Sequence, residues 1–256
     1  MSSPHLSRHK AAIGFAQKAA ASALALFDTD LQIEIKEDLS PVTKADKEAE
    51  AILRESLTTA FPGDSFLGEE YGDQKGSTGY RWIIDPIDGT KNYIRGIPIW
   101  GTLLGLEFEN DLVGGIVVAP ALGQTWHGLR GEGAYRNDKR IRVTDTPKLA
   151  QSHLFYSSLT WIQKSGKTKG FLDLIDNSER QRGFGDFYGF MLVAQGAGEA
   201  MIDHGLHPWD VAALKPIVDE AGGLLTNWDG GFSIHRSDVV GSNRLIHSRL
   251  LESLGT

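Results

Sequence analysis

Hydrophobic positions in this chain recur first at helical and then at strand spacing. Between Ser7 and Phe27, the residues Ile13, Ala16, Ala20, Leu24 and Phe27 fall on one side of a 3.6-residue period, which predicts an amphipathic helix. Its stripe is weakly apolar because of the alanines, so the prediction leans on Ile13, Leu24, Phe27 and the run's high helix propensity. Leu31 to Ile35 alternates like a short strand, and Asp38 to Pro41 reads as a loop. Thr43 has the character of a helix N-cap with Asp46 as its reciprocal partner. Behind it Ala45, Ala49, Ile52, Leu53 and Leu57 form an apolar face that ends before Pro62-Gly63.

Strand-like runs follow. Asp73 to Gly79 is polar and reads as an exposed loop; Tyr80 to Ile84, Ile99 to Phe108 and Leu112 to Ala119 read as strands, the last two joined in a hairpin at Asn110-Asp111. Gln124 to Leu129 and Ala134 to Tyr135 flank a second hairpin candidate at Gly131-Glu132-Gly133. Past about Thr144 strands and helices alternate. Leu154 to Ser157, Glu199 to Asp203, Leu224 to Thr226 and Val239 to Gly241 are predicted strands. Phe187 to Gln195, Pro208 to Ala221 (closed by Gly222-Gly223) and Arg244 to Leu254 are predicted helices. The order predicts an α/β layered sandwich with a mixed sheet. Residues 1–256 form a single domain in this reading, with its weakest internal boundary near 144–152, so that an N-terminal half of about 1–145 precedes a C-terminal half of about 146–256.

Composition narrows the chemistry. No cysteine is present, which excludes disulfides, thiolate zinc sites and cysteine nucleophiles. No apolar run reaches the length of a membrane span, and the first eighteen residues lack a signal peptide's apolar core, so the expected compartment is the cytoplasm. The net charge of −7 makes nucleic acid a poor partner. It would also repel a phosphate ester unless bound divalent cations reversed the sign locally, and that directs attention to where the acids cluster.

Four segments hold them. Asp46 opens the second predicted helix, Glu69 and Glu70 follow Gly68, Asp85-Pro86-Ile87-Asp88-Gly89-Thr90 ends the apolar Trp82-Ile83-Ile84 run, and Trp209-Asp210 opens a later helix. Pro86 fixes a backbone angle and Gly89 permits a tight turn, so Asp85, Asp88 and the carbonyl between them can converge as an all-oxygen donor set suited to magnesium. The N–H groups of Gly89 and Thr90 offer an anion site beside it. A metal cluster next to an anion site is what phosphoryl transfer requires. Taken singly, each segment has a plain structural reading as a solvated turn or a helix cap; the combination and order are what point to chemistry.

The segments VTKADKEAE (42–50), FLGEEYG (66–72), WIIDPIDGTKNY (82–93) and HPWDVAALKPIVDEAGG (207–223) resemble the inositol-monophosphatase-like, metal-dependent phosphatases, and the similarity runs from about residue 10 to the C-terminus. The resemblance implies an αβαβα sandwich and catalysis with two or three Mg2+ ions. Glu69, Asp85 and the Ile87 carbonyl would hold the first ion, Asp85, Asp88 and Asp210 the second, and a weaker third would lie near Glu69. Asp46 and Thr90 would orient and deprotonate the attacking water, with Glu69 counted in the same catalytic group, and Gly89 and Thr90 would bind phosphate. It also implies a homodimer.

Residues 88–106 and 182–196 look like the histidinol-phosphate phosphatase branch. Asp186 and Asp203 would accept hydrogen bonds from a cationic amine or an imidazole, Gly185 beside Asp186 would be a further substrate-binding position, and Arg182 could meet substrate. The plainer alternatives are that Asp186 caps the helix at Phe187, Asp203 is an exposed strand-end acid and Arg182 a surface charge. Lys91 is equally an anion aid or a solvated side chain, and KSGKTKG (164–170) reads as an exposed basic loop. Trp100, Trp126 and Trp161 read as core or interface aromatics. An inositol or sugar phosphatase is the alternative function, and a non-catalytic RNA- or transcription-associated binding protein the remote one.

Overall fold

The computed structural model describes residues 4–29, 33–35 and 41–255. Leu31 and Gln32 of the first predicted strand, and Asp38, Leu39 and Ser40 of the predicted loop, lie outside the described residues. In chain order the elements of the first half are α1 (Pro4–Leu26), β1 (Ile33–Ile35), β2 (Pro41–Thr43), α2 (Lys44–Ala60), β3 (Ser65–Gly68), β4 (Gly72–Gln74), β5 (Tyr80–Asp88), α3 (Thr90–Tyr93), β6 (Gly101–Phe108), β7 (Asp111–Ala119), β8 (Gln124–Leu129), β9 (Gly133–Arg136) and β10 (Lys139–Arg140). The second half has β11 (His153–Tyr156), α4 (Leu159–Lys164), α5 (Thr168–Asp176), β12 (Arg180–Gly183), α6 (Asp186–Ala194), β13 (Ala200–His204), α7 (Pro208–Ala212), α8 (Leu214–Glu220), β14 (Leu224–Thr226), β15 (Asp238–Ser242) and α9 (His247–Gly255).

Two main sheets result, one of eight strands in the order β10-β9-β8-β7-β6-β5-β3-β4 and one of five in the order β12-β11-β13-β15-β14. The larger is antiparallel except where β3 runs parallel to β5. Period-two alternation decides which side chain enters which layer. Trp82, Ile84, Leu104, Leu106, Ile116 and Val118 face α1 and α2, while Ile83, Leu103 and Val117 face the opposite way, into a core shared with α6, α7 and α8. That middle core continues into the second sheet through Met201, Leu225 and Val239. Leu154, Ala200, Ile202 and Val240 on the sheet's outer face pack against α4, α5 and α9 through Ile162, Phe171, Leu174 and Leu250. The layers are therefore α, β, α, β, α.

Several local expectations change. In α1 the buried face is Ala12, Ala16, Ala19, Ala20 and Ala23, each fully covered, whereas Leu24 is 38% exposed. Small side chains let this helix approach α2 and the sheet closely, so the alanines, not the larger residues, mark its packing face. The helix expected over Pro208 to Ala221 is broken at Ala213. Pro216 has no N–H to donate to the Ala212 carbonyl, which removes one bond of a continuous helix there. The basic segment 164–170 is the end of α4, a turn and the start of α5, not a loop throughout. Asp73 and Gln74 belong to an edge strand, and β3, β12, α4 and α5 lie outside the predicted helices and strands. Trp100 and Trp126 are wholly buried, but Trp161 is 40% exposed on α4.

Candidate active site

The site forms where β5 runs out. Asp85 ends the regular pairing of β5 with β6, whose register shifts between Asp85 and Asp88. This irregularity turns both acids to one side, and Asp85 Oδ1 accepts the Ile87 amide at 3.0 Å, closing the turn on itself. Asp210 enters from the second half of the chain. It sits in the first turn of α7, where its Oδ2 accepts the His207 amide at 2.7 Å. One carboxylate oxygen from each of Asp85, Asp88 and Asp210 lies within 4.8 Å of the others. α7 is brought this close because β6 and β7 carry glycine beneath it: a Cβ at Gly115 would stand 1.9 Å from the Ala213 carbonyl oxygen.

Electrostatics show how poorly these groups tolerate one another as bare anions. The Asp85 carboxyl is raised well above the usual range by burial first, then by Glu69, Asp88 and Asp210. Asp88 is likewise raised by burial, then by Asp186 and Asp210. Asp210 is pushed up to about 6, again chiefly by burial. Buried carboxylates in this density either take up protons or share a cation, and a hard divalent ion is the cation an all-oxygen set fits. Asp88 has one further compensation: its Oδ2 accepts the Phe187 amide at 2.6 Å, at the N-terminal end of α6.

Asp46 faces this cluster from α2. It completes the capping box with Thr43, its Oδ2 accepting the Thr43 amide at 2.8 Å and hydroxyl at 2.7 Å. Its other oxygen lies 3.5 Å from the Thr90 hydroxyl, which also donates to the Ile87 carbonyl at 2.9 Å. Burial raises the Asp46 carboxyl, which makes it a better proton acceptor. Gly89 adopts a left-handed φ of 85°; there it lets the chain swing from β5 into α3, whose first amides have no intrahelical acceptor. Glu69 follows β3, its amide donating to the Ile84 carbonyl at 3.2 Å, and its charge acts on Asp85, Asp46 and Asp210.

The predicted substrate residues divide. Asp186 is brought to the site. Its Oδ2 accepts the Asn92 amide at 3.1 Å and would lie 3.3 Å from a Cβ at Gly89. Asp186 is the first residue of α6, with φ 49°, and the N-cap position before it is Gly185, with φ 72° and no side chain to cap the helix. Burial pushes its carboxyl up to about 6. Asp203 is buried, not an exposed strand end. Its Oδ1 accepts the His204 amide at 2.7 Å, while Oδ2 has no hydrogen bond of good geometry, the Ser157 hydroxyl facing the carboxyl. Its charge reaches Asp88 and is felt alongside Asp186 and Asp210. Arg182 is not brought to the cluster: it lies exposed on β12, donates to the Gln181 carbonyl, and lines a separate groove with Phe184 and Tyr188. Asn92 and Glu50 are contributors that the motif reading passed over, although both lie inside the segments quoted above.

A cavity of 530 Å³ lies elsewhere, lined by Arg81, Glu107, Lys215 and Asp219, and those charges already pair with one another. The acidic cluster is therefore the stronger candidate for chemistry.

Residues 7–256 match the inositol monophosphatase family. The chain belongs to that family. It is 40% identical over 230 residues to a histidinol-phosphatase of Mycobacterium tuberculosis, covering 88% of each chain. It is 42% identical over 231 residues to a histidinol-phosphatase of Streptomyces coelicolor, covering 87% of this chain and 86% of the other. In structure it is similar to the extragenic suppressor protein suhB of Bartonella henselae, with a TM-score of 0.89, 29% identity and coverage of 96% and 97%. As a family member the chain is a phosphoric monoester hydrolase. No helix among the described residues is long and apolar enough to cross a membrane.

Proposed function

We propose that this protein hydrolyses L-histidinol phosphate to L-histidinol and inorganic phosphate, as a step of histidine biosynthesis, in a Mg2+-dependent reaction. The observation that carries the substrate class is the pair of carboxyls formed by half-buried Asp186 and fully buried Asp203, whose charges both act on Asp88 and which so lie beside the acidic cluster. A neutral polyol offers these two carboxyls only neutral hydroxyl donors; a substrate with an ammonium and an imidazole offers charge-assisted donors, which are stronger and favour the ionised carboxylates. The likeness to the two histidinol-phosphatases supports the same reading.

Two or three Mg2+ ions are the expected complement, held by Glu69, Asp85, Asp88, Asp210 and the Ile87 carbonyl. When bound they supply a water of lowered pKa and offset charge on the phosphate and the leaving oxygen. The chain's own residues do the rest. Thr90, through its hydroxyl between Asp46 Oδ1 and the Ile87 carbonyl, orients the attacking water and passes its proton to Asp46. The water oxygen forms a bond to phosphorus as the ester P–O bond breaks, and the departing alkoxide takes up a proton to become the alcohol. The Gly89 and Thr90 amides receive the phosphate oxygens. Asn92 holds Asp186 towards the leaving group. Because Asp85 and Asp88 come from one half of the chain and Asp186, Asp203 and Asp210 from the other, residues 1–256 act as one catalytic unit. A cytoplasmic homodimer is the expected working form, which sedimentation of the purified protein tests.

The functional test is phosphate release from histidinol phosphate, inositol 1-phosphate and fructose 1,6-bisphosphate at matched concentrations, with and without Mg2+, and with Asp88→Asn as control. A strong preference for histidinol phosphate that disappears in the variant is expected. Equal or better turnover of the polyol phosphates would retire the histidinol assignment in favour of an inositol or sugar phosphatase, and no turnover of any would favour a binding protein.

A further inference from the structure

Glu50 stands one turn after Asp46 on α2 and is wholly buried. A carboxylate in that position is costly unless its oxygens are fully used, and here they are. Oε2 accepts the Glu70 amide at 2.8 Å; Oε1 accepts the Tyr71 amide at 3.3 Å and Arg54 Nε at 2.7 Å. Arg54 extends the contact along the hairpin: its Nη2 donates to the Gly72 carbonyl at 2.6 Å, and its guanidinium lies over the rings of Phe66 and Tyr71. The carboxylate sits against Gly68, where a Cβ would come within 1.9 Å of Oε1. The turn held in this way, Glu69 to Tyr71, joins β3 to β4. β4 is three exposed residues at the sheet edge, so it has almost no core of its own.

We infer that Glu50, braced by Arg54, is a positioning residue that fixes the Glu69–Tyr71 turn and so aims the Glu69 carboxylate at the Asp85–Asp88–Asp210 cluster. This rests on the reading of that cluster as the metal site. Charged acceptors bonded to backbone amides at two successive residues set the direction of the turn and not merely its proximity. The group therefore acts on the metal ligand as outer hydrogen-bonding partners act on ligands generally, and losing such a partner weakens metal binding about 10–100-fold.

The experiment compares wild type, Glu50→Gln and Arg54→Met in two measurements. In the first, phosphatase activity is titrated with Mg2+. Glu50→Gln is expected to raise the half-saturating concentration at least about tenfold, with kcat at saturating Mg2+ close to that of wild type. Arg54→Met is expected to move it in the same direction by less. In the second, amide hydrogen exchange is followed in EDTA, without metal or substrate. Exchange should accelerate at Glu70 and Tyr71 in Glu50→Gln and stay unchanged in β6 and β7. An unchanged half-saturating Mg2+ concentration, or a loss of kcat that no Mg2+ restores, would overturn the inference. Should Glu50→Gln not fold, the same outcomes are read from Arg54→Met. Should the wild type need no divalent ion, the metal reading falls, and the exchange experiment alone decides whether Glu50 holds the turn.

Discussion

Replacing Asp210 with asparagine is expected to abolish activity and to make the metal-free protein more stable. Asp210 is half-buried in the cluster and its carboxyl is pushed up to about 6, from an ordinary value of 3.8. A carboxyl whose folded-state pKa exceeds its unfolded value destabilises the fold once the pH is above both. The difference, about 2 pH units at about 1.4 kcal/mol each, is a penalty of about 3 kcal/mol at pH 7. Asparagine keeps the shape, and its carbonyl can still accept the His207 amide, so little packing is lost. In EDTA at pH 7 the variant should melt about 6–12 °C above wild type for a chain of this size. The sign can be followed with pH. As the pH falls through about 6 the wild-type carboxyl takes up its proton in the folded state, the penalty shrinks, and by pH 4 the two proteins should melt close together. Added Mg2+ should raise the wild-type melting temperature and close the gap, since it stabilises the form that binds it. A variant that melts at or below wild type at pH 7, or whose advantage persists at pH 4, would refute the argument that repulsion and burial dominate here.

Gly115→Ala would place a Cβ 1.9 Å from the Ala213 carbonyl; chemical denaturation should show a loss of about 3 kcal/mol, and a loss under 1 kcal/mol would mean that α7 shifts freely. His247, buried with its ring nitrogens against the Thr226 and Ser242 hydroxyls, has its pKa lowered to about 4, chiefly by burial. Its folded value lies below its unfolded one, so it contributes full stability above pH 6.5 and loses it between 6.5 and 4 at about 1.4 kcal/mol per pH unit; His247→Phe should flatten that part of the stability profile. Asp186→Ala should raise KM for histidinol phosphate about tenfold or more while changing KM for inositol 1-phosphate little, and equal effects on both would remove Asp186 from leaving-group recognition.

The sequence made the first sheet legible because its strands are long and apolar on both faces, as in Trp82-Ile83-Ile84. The capping box at Thr43 and Asp46 was legible for the same reason that it forms: both partners lie within one turn. The metal-ligand candidates could be found by motif, but their convergence could not, since Asp85 and Asp210 meet only through the packing of α7 on β6 and β7. Short exposed elements such as β4 and β12 left no periodic trace because they bury almost nothing on either face. The break in α7–α8 was readable in principle from Pro216. Glu50 was hidden for another reason: its partners are backbone amides twenty residues away, and no spacing rule marks a side chain that hydrogen-bonds to the main chain of a distant turn. Arg182 drew attention through its neighbours in sequence, yet a strand edge carries it into a different groove from Asp186.

The placement of Asp85 and Asp210 on opposite sides of the chain's midpoint bears on synthesis in the cell. They are separated by 125 residues, which a ribosome adds in about 6–25 s. Throughout that interval the N-terminal half displays Glu69, Asp85 and Asp88 without the acid that closes the cluster, and without the α6 amide that Asp88 accepts. On the proposed reading of this cluster, a nascent chain has no complete centre until α6 and α7 have emerged and docked on the first sheet. Activity at such a centre would report that the two halves of the chain have folded together.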